Sequence, residues 1–408
     1  MKVVRQSAAE SATATGRRRA SFHTLTVDEV RRLTDDAIEV TFGVPAELAG
    51  AFDYLPGQYV ALRTTLPDAD GQPHEIRRSY SICAEPRSLA DGSSEIRVAI
   101  KKDLGGLFST WANAELKAGD VLDVMSPMGA FISKHGRDGK SVEQNVMNSM
   151  NHPEELAGEP GSFVAIAAGS GITPVIAIAR TLLAAHPETR FDLIYANKAA
   201  MDVMFLEELA DLKDKYPSRL ALHHVLSREQ RIAPLLSGRI DAEKLQALLG
   251  TAIHADDVDE WFLCGPFELV QLCRDTLAAR GVTPEHVRFE LFTSGKPDRP
   301  EGNIGRPVIA DESKETYKIT FKLDGLQGEV ASPTHARESI LNAALRVRPD
   351  VPFACAGGVC GTCRAKVVSG NVTMDENYAL EQDELDKGYV LTCQSHPTTP
   401  EVTVDFDV

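Results

Sequence analysis

Short apolar runs broken by turn residues govern the first third of the chain. "IEVTFGVP", "QYVALRTT", "RRSYSICA", "EIRVAIKK" and "VLDVMSP" each hold β-branched or aromatic residues over a strand's length, with Gly, Pro and Asp between them. That pattern predicts a small antiparallel β-barrel over residues 22–133, interrupted by one short helix, "LFSTWANAEL". From residue 161 to 293 the grammar changes. The apolar strands "FVAIAAG", "FDLIYAN", "LALHHVLS", "EWFLCG" and "HVRFELF" alternate with helical stretches such as "PVIAIARTLLAA" and "FELVQLCRDTLAARG". Alternation of this kind predicts a parallel sheet covered by helices on both faces. A third, α+β unit is expected over 316–408, from the strand pair "YKITFKLDGLQGEV" through the helix "ESILNAALRV" to "EVTVDFDV".

The segments between these units are polar. Residues 134–160 read as a surface insertion, and residues 294–315, rich in Pro, Gly and charge, as a linker. Residues 1–21 are small, polar and basic, without the apolar centre of a secretory signal, and are expected to form a disordered arm. The apolar stretch "FVAIAAGSGITPVIAIARTLLAA" is broken by glycines, Pro174 and Arg180, so it predicts a strand, a turn and a helix rather than a membrane span.

With 408 residues, 43% hydrophobic and 25% charged, the chain has the composition of a multidomain globular protein. Its formal net charge of -16 argues against nucleic acid or an anionic membrane as a partner. Seven cysteines are too few for a disulfide scaffold, and without an export signal a reducing cytoplasm is expected.

Four of those cysteines carry chemistry. Cys355, Cys360 and Cys363 are spaced C-x4-C-x2-C, and Cys393 follows at a distance. This is the plant-type ferredoxin ligand pattern for a [2Fe-2S] cluster. Gly357, Gly358 and Gly361 let the loop fold tightly. Four cysteines can also hold zinc, although zinc ribbons present two C-x2-C pairs and only Cys360 and Cys363 form one here. Upstream, "AAGSGITPV" follows a strand and opens a helix, the context of a phosphate-binding turn. There Gly169 and Gly171 permit close backbone approach, Thr173 can cap the helix and Pro174 suits its first turn. The position of the third dinucleotide-fingerprint glycine is Pro174, which disfavours an ordinary Rossmann dehydrogenase.

G-x-G-x-x-P, "RRSYSI" and "GGLFST" together resemble the ferredoxin-NADP-reductase family of flavoproteins, here with a C-terminal plant-type ferredoxin domain of β-grasp type. The resemblance implies a flavin held by Arg78 at its phosphate, Tyr80 at the isoalloxazine or ribityl chain and Ser81 near N5. Gly105, Gly106 and Ser109 would lie at the pyrophosphate. "PGQY" and "PMGAF" look like further landmarks, equally readable as barrel turns. The resemblance places Cys264 of "LCGP" beside the nicotinamide, a buried structural cysteine being the alternative, with Gly265 and Pro266 in the same cofactor-binding turn. Glu290 and Phe292 of "RFELF" would lie near the flavin face, though a last buried strand explains the same residues. Ser227 and Arg228 resemble the pair that grips the 2'-phosphate of NADPH, where a guanidinium fork suits phosphate oxygens; Glu229 next to them would suit NADH. Cys83 and Cys273 are expected in the core, and His223 and His224 as structural residues.

Hydride delivers two electrons at once and an iron-sulfur cluster accepts one, so a flavin between them splits the pair. "RRSYSICAEP", "GGVCGTCRAKVVSGNVTMDENYAL" and "GYVLTCQSHPTTPEVTVDFDV" are similar to oxygenase reductases of phenylacetate degradation. That likeness implies FAD, NADPH and a di-iron oxygenase partner in a multicomponent complex. FAD against FMN stays open on motifs, as does the reductase of another aromatic-ring hydroxylase. A ferredoxin-like binding or sensing module is the reading from another class.

Overall fold

The computed structural model describes residues 21–291 and 315–407, apart from 68–72, 88, 104–105, 130, 134, 136–159, 252, 254–257, 324, 349–350, 354–357, 359–360, 376, 378–379 and 381. All of the insertion but His135 and Pro160, the linker before Glu315 and the N-terminal arm up to residue 20 therefore lie outside the described residues.

Strands β1 (Phe22–Thr34), β2 (Ala37–Val44), β3 (Tyr59–Pro67), β4 (Pro73–Ser81), β5 (Ser94–Lys101) and β6 (Val121–Met125) form one sheet in the order β4-β3-β6-β1-β2-β5. The short helix α1 (Ala46–Ala49) follows β2, and α2 (Leu107–Glu115) follows β5. Strand β1 was not legible in the pattern of apolar positions. Its antiparallel register with β2 slips between Val27 and Glu29 and again between Arg32 and Thr34, so the inward face loses its two-residue period. Strand β2 is buried almost throughout, and its Glu39 carboxylate is satisfied there by Arg31 Nη2 at 2.8 Å.

The second sheet is parallel, with β7 (Ser162–Ala168), β8 (Arg190–Asn197), β9 (Leu220–Leu226), β10 (Glu260–Gly265) and β11 (Val287–Leu291) in the order β11-β10-β7-β8-β9. Helices α3 (Ile172–Ala185), α4 (Leu206–Lys215), α5 (Ala242–Thr251) and α6 (Phe267–Ala279) connect these strands. One core packs Ile172, Ile176 and Leu209 on Phe191 and Phe262; another packs Leu245, Leu248 and Cys273 on Trp261 and Ile194. The two faces of a sheet buried on both sides explain its near-continuous apolar strands.

The C-terminal sheet is mixed. Strands β12 (Thr316–Leu323) and β13 (Leu326–Pro333) make an antiparallel hairpin, β18 (Glu401–Asp405) lies parallel to β12, and β14 (Arg364–Ser369) and β16 (Tyr389–Leu391) complete the order β13-β12-β18-β14-β16. Helix α7 (Ile340–Leu345) is capped by Ser339, whose hydroxyl accepts from the Asn342 amide, and packs Leu341 and Ala344 against Ile319 and Phe321. Two short strands, β15 (Val372–Met374) and β17 (Ser395–Pro397), pair beside the sheet order, and α8 (Gln382–Asp386) precedes β16. This is the β-grasp arrangement expected from the sequence.

The chain divides into two compact units. One comprises Met1–Phe22, Ala61–Ser79 and Gly295–Val408; the other comprises His23–Val60 and Tyr80–Ser294. Among the described residues no helix is long and apolar enough to cross a membrane.

Candidate functional site

The parallel sheet builds its site where the strand order reverses. From β7 the chain moves to β8 and β9 on one side, then returns to β10 and β11 on the other, so the switch point at which such sheets bind ligands falls at the C-terminal ends of β7 and β10. Gly169–Gly171 leaves β7 as a single 3-10 turn, and α3 begins directly after it with no side chain capping its first amides. The Ile172 amide donates back to the Gly169 and Ser170 carbonyls, and the positive end of the helix dipole faces the turn. Gly169 takes a left-handed φ of 53°, and its carbonyl accepts from the buried Tyr195 hydroxyl at 2.9 Å. A Cβ at Gly171 would run into the carbonyl oxygen of Cys264, so the phosphate turn and the Cys264–Gly265 turn touch backbone to backbone. Thr173 does not cap the helix. The 3-10 turn puts Thr173 inside the first helical turn, where its hydroxyl donates to the Ser170 carbonyl at 3.0 Å.

Cys264, Ser81 and Glu290 converge. Cys264 pairs in register with Glu290 on the neighbouring strand, and Ser81 Oγ donates to Glu290 Oε2 at 3.0 Å. Burial pushes the Cys264 thiol well up, and the neighbouring Glu290 charge pushes it further. Burial likewise pushes the Glu290 carboxyl up to about 7, with the Ser81 hydrogen bond pulling back. At neutral pH Cys264 is therefore a thiol and not a thiolate nucleophile, while Glu290 is poised to hold or release a proton. Gly265, at a positive φ of 150°, and Pro266 follow directly and start α6.

The two flavin motifs also meet. Tyr80 at the end of β4 packs on Phe108 of α2, with ring centroids 5.7 Å apart. Ser109 is buried and its hydroxyl serves its own turn, accepting from the Asp103 amide at 3.0 Å; a Cβ at Gly106 would strike that hydroxyl. Ser109 thus shapes the turn that opens α2, whose N-cap Gly106 offers no side chain. Arg78 is exposed, with Nη1 donating to the Arg77 carbonyl at 2.8 Å and no acidic partner among the described residues. The start of α2, without a side-chain cap, is the kind of donor set that fits a phosphate. "PGQY" and "PMGAF" interlock as turns, since a Cβ at Gly57 would meet the Phe131 carbonyl and Tyr59 and Met128 exchange backbone hydrogen bonds of 2.8 and 2.9 Å. Gly105 and Phe292 lie outside the described residues.

Ser227 and Arg228 follow β9, at the same sheet edge as Gly169. Arg228 is exposed, its side chain without a partner among the described residues. The neighbouring acid turns away, as Glu229 Oε1 accepts from the Ala200 amide at 2.6 Å. His223 and His224 are half-buried, and desolvation lowers both below the usual histidine range. That suits neutral, structural imidazoles. Cys83 and Cys273 are buried core residues, burial pushing Cys273 up to about 12.

Of the four ligand candidates, Cys363 and Cys393 are described and both are buried; Cys355 and Cys360 lie outside the described residues. Thr392 ties the two described ones together, its amide and hydroxyl donating to the Cys363 carbonyl at 3.1 and 2.9 Å. Gly358 and Gly361 take left-handed φ values of 79° and 71°, which residues with a side chain rarely adopt. Thiols from sequence-distant segments, joined by a shared backbone contact, fit an iron-sulfur cluster.

Comparison with known proteins agrees with this division of labour. A family model for an oxidoreductase FAD-binding domain matches residues 24–132, one for an oxidoreductase NAD-binding domain matches 165–275, and one for a 2Fe-2S iron-sulfur cluster binding domain matches 323–398. A component of the 1,2-phenylacetyl-CoA epoxidase of Escherichia coli (strain K12) is 42% identical over 387 residues, covering 95% of this chain and 98% of that protein. The chain belongs to this family of oxidoreductases. The ferredoxin reductase component of 3-ketosteroid-9-alpha-monooxygenase from Mycobacterium tuberculosis (strain ATCC 25618 / H37Rv) is 31% identical over 392 residues, covering 94% of this chain and 95% of its own. Two solved structures share the fold: the FAD/NAD-binding domain of a Vibrio cholerae nitric oxide dioxygenase (23% identity, TM-score 0.52, 67% of this chain and 98% of that one) and an Amycolatopsis cytochrome P450 reductase (24%, 0.52, 69% and 73%).

The reductase therefore carries electrons from a pyridine nucleotide through FAD to a [2Fe-2S] centre. Bound flavin would supply the conversion of a hydride pair into single electrons; the fold brings Ser81, Cys264 and Glu290 together. Motif reading did not find the contacts of Arg77, Ser79, Thr362 and Glu384. They join residues separated by up to 307 positions, and no local spacing signals them.

Proposed function

We propose that this reductase oxidises NADPH and supplies single electrons to the di-iron oxygenase component of a multicomponent complex that epoxidises phenylacetyl-CoA. The 42% identity to the epoxidase component over nearly the whole length of both chains carries the partner. The NADPH preference rests on the exposed Arg228 guanidinium together with the Glu229 carboxylate turned into the Ala200 amide, because an acid so engaged does not read ribose hydroxyls. In this reading residues 22–133 hold FAD through Arg78, Tyr80, Gly105 and Gly106. Residues 161–293 hold NADPH through Gly169, Gly171, Ser227 and Arg228, with Cys264, Ser81, Glu290 and Phe292 where hydride passes. Residues 316–408 hold the cluster on Cys355, Cys360, Cys363 and Cys393. The cytoplasm, where NADPH and reduced thiols coexist, is the place for such a chain.

The test is reconstitution. The reductase, mixed with the epoxidase's oxygenase component, phenylacetyl-CoA and oxygen, is expected to give NADPH-dependent epoxide, and Cys363→Ser is expected to abolish product while NADPH-to-dye transfer survives. Equal or better turnover with an aromatic-ring hydroxylase in place of the epoxidase would assign the reductase to that system instead.

A further inference from the structure

Strand β4 carries Arg77 and Ser79 on either side of Arg78. Both contact the ferredoxin sequence. Arg77 Nη2 donates to Glu384 Oε1 at 2.8 Å, and the same oxygen accepts from Arg364 Nη1 at 2.6 Å. The three side chains are buried, at 5% exposure for Arg77, 9% for Glu384 and 14% for Arg364. Beside them Ser79 Oγ lies 3.0 Å from Thr362 Oγ1. Thr362 and Arg364 flank Cys363, so the Ser79 contact ends beside that cysteine directly and the Arg77 contact reaches it through Glu384. Arg77 also packs over the Phe22 ring at 5.1 Å, with Arg63 over the same ring at 4.1 Å, which holds its guanidinium in place.

A carboxylate shared by two buried guanidiniums adds little net stability over an apolar contact of the same size, because desolvation offsets most of the attraction. What such a triad does enforce is geometry: shifted by an ångström, it leaves a buried charge unpaired. Its position is informative. One arm sits on the strand that also carries Arg78 and Tyr80, and the other directly follows a cluster-ligand cysteine.

We propose that Glu384 is a positioning residue for internal electron transfer: held between Arg77 and Arg364, it seats the Thr362 turn of the cluster loop against Ser79 on the flavin-motif strand. The inference rests on the flavin-to-cluster reading above. Each crossing of this contact oxidises the flavin by one electron and reduces the cluster by one, and no bond is made or broken across it. The triad's work is to keep the crossing short.

The experiment uses the full-length protein loaded with FAD and cluster. Wild type, Glu384→Gln and Ser79→Ala are mixed with NADPH without oxygen, and flavin and cluster absorbance are followed separately. Amide hydrogen exchange is measured on the same proteins with no NADPH present. Both variants are expected to reduce flavin and dye at the wild-type rate and to keep the cluster spectrum. The flavin-to-cluster phase is expected to slow about tenfold or more in Glu384→Gln, with faster exchange across both Pro73–Ser81 and Gln382–Asp386. Ser79→Ala, which lies outside the ferredoxin sequence, is expected to slow the same phase to a smaller extent. A cluster phase within twofold of wild type in Glu384→Gln overturns the proposal, as does a slowed phase with unchanged exchange. If Glu384→Gln assembles no cluster, Ser79→Ala decides by the same twofold and exchange criteria. Failure of NADPH to bleach the wild-type flavin would instead remove the functional reading on which the proposal rests.

Discussion

The Ser81 hydroxyl donates to the Glu290 carboxylate at 3.0 Å, across 209 positions of sequence. That single bond joins the end of the flavin-motif strand to the last strand of the nucleotide sheet. It also engages a carboxyl that desolvation pushes up to about 7.

Glu290 should make stability depend on pH. Between the ordinary value of 4.5 and about 7 the folded chain keeps the proton that the unfolded chain has lost. The unfolded state therefore binds fewer protons in that window, and stability falls as pH rises through it, then levels off. The full penalty is on the order of 3 kcal/mol. Glu290→Gln has no such slope. Urea midpoints of the two proteins are expected to be close near pH 5 and to separate by pH 8, with the variant more stable. Parallel midpoints across that range would show that Glu290 does not titrate upward.

Gly171 and Gly169 should respond very differently to alanine. A Cβ at Gly171 strikes the Cys264 carbonyl, backbone against backbone, with no flexible side chain to give way. A Cβ at Gly169 meets nothing within 4 Å, and its cost is the left-handed φ of 53°, about 1 kcal/mol. Gly171→Ala is expected to lose nucleotide binding and several kcal/mol of stability, whereas Gly169→Ala stays folded and binds weakly. Isothermal titration with NADPH and thermal melting check both.

Arg228→Ala should raise the KM for NADPH with little change in the KM for NADH. A charge-assisted bond to phosphate contributes about 1.5–3 kcal/mol, which corresponds to roughly a ten- to hundredfold rise in KM. Steady-state dye reduction with each nucleotide reads the ratio. Similar losses with both nucleotides would place Arg228 away from the 2'-phosphate.

Cys264 should resist alkylation in the folded protein. Its thiol is fully buried and held protonated by desolvation and by Glu290. Since the thiolate is the reacting species, iodoacetamide at about pH 8 is expected to modify Cys264 on the order of a hundredfold more slowly in the native chain than in urea. Peptide mass spectrometry follows the site, and rapid native labelling would contradict a closed, protonated thiol.

Local pattern was enough for most of the architecture. The short turn-bounded apolar runs of the barrel, the strand-helix alternation after residue 161 and the C-x4-C-x2-C spacing each encode their element within a window of a few residues. The G-x-G turn was legible for the same reason: a strand, two glycines and a helix start are contiguous. The bulged strand β1 was not, because two register slips erase the alternation by which a strand is recognised. Thr173 was misassigned as a cap because the intervening 3-10 turn shifts the helix start, which no residue type announces.

Motif resemblance nominated Ser81, Cys264 and Glu290 one at a time; only the packed chain made them neighbours. Parallel pairing of β10 with β11 sets Cys264 beside Glu290, and burial there is what raises both groups. The same holds for Glu229, whose rotation into the Ala200 amide cannot be inferred from its place beside Arg228, and for the Arg77–Glu384–Arg364 triad. Element type follows from short-range periodicity and backbone preference, which adjacent residues carry. Protonation, charge pairing and close backbone approach depend on which distant segments exclude water from one another, and that is a property of the folded molecule.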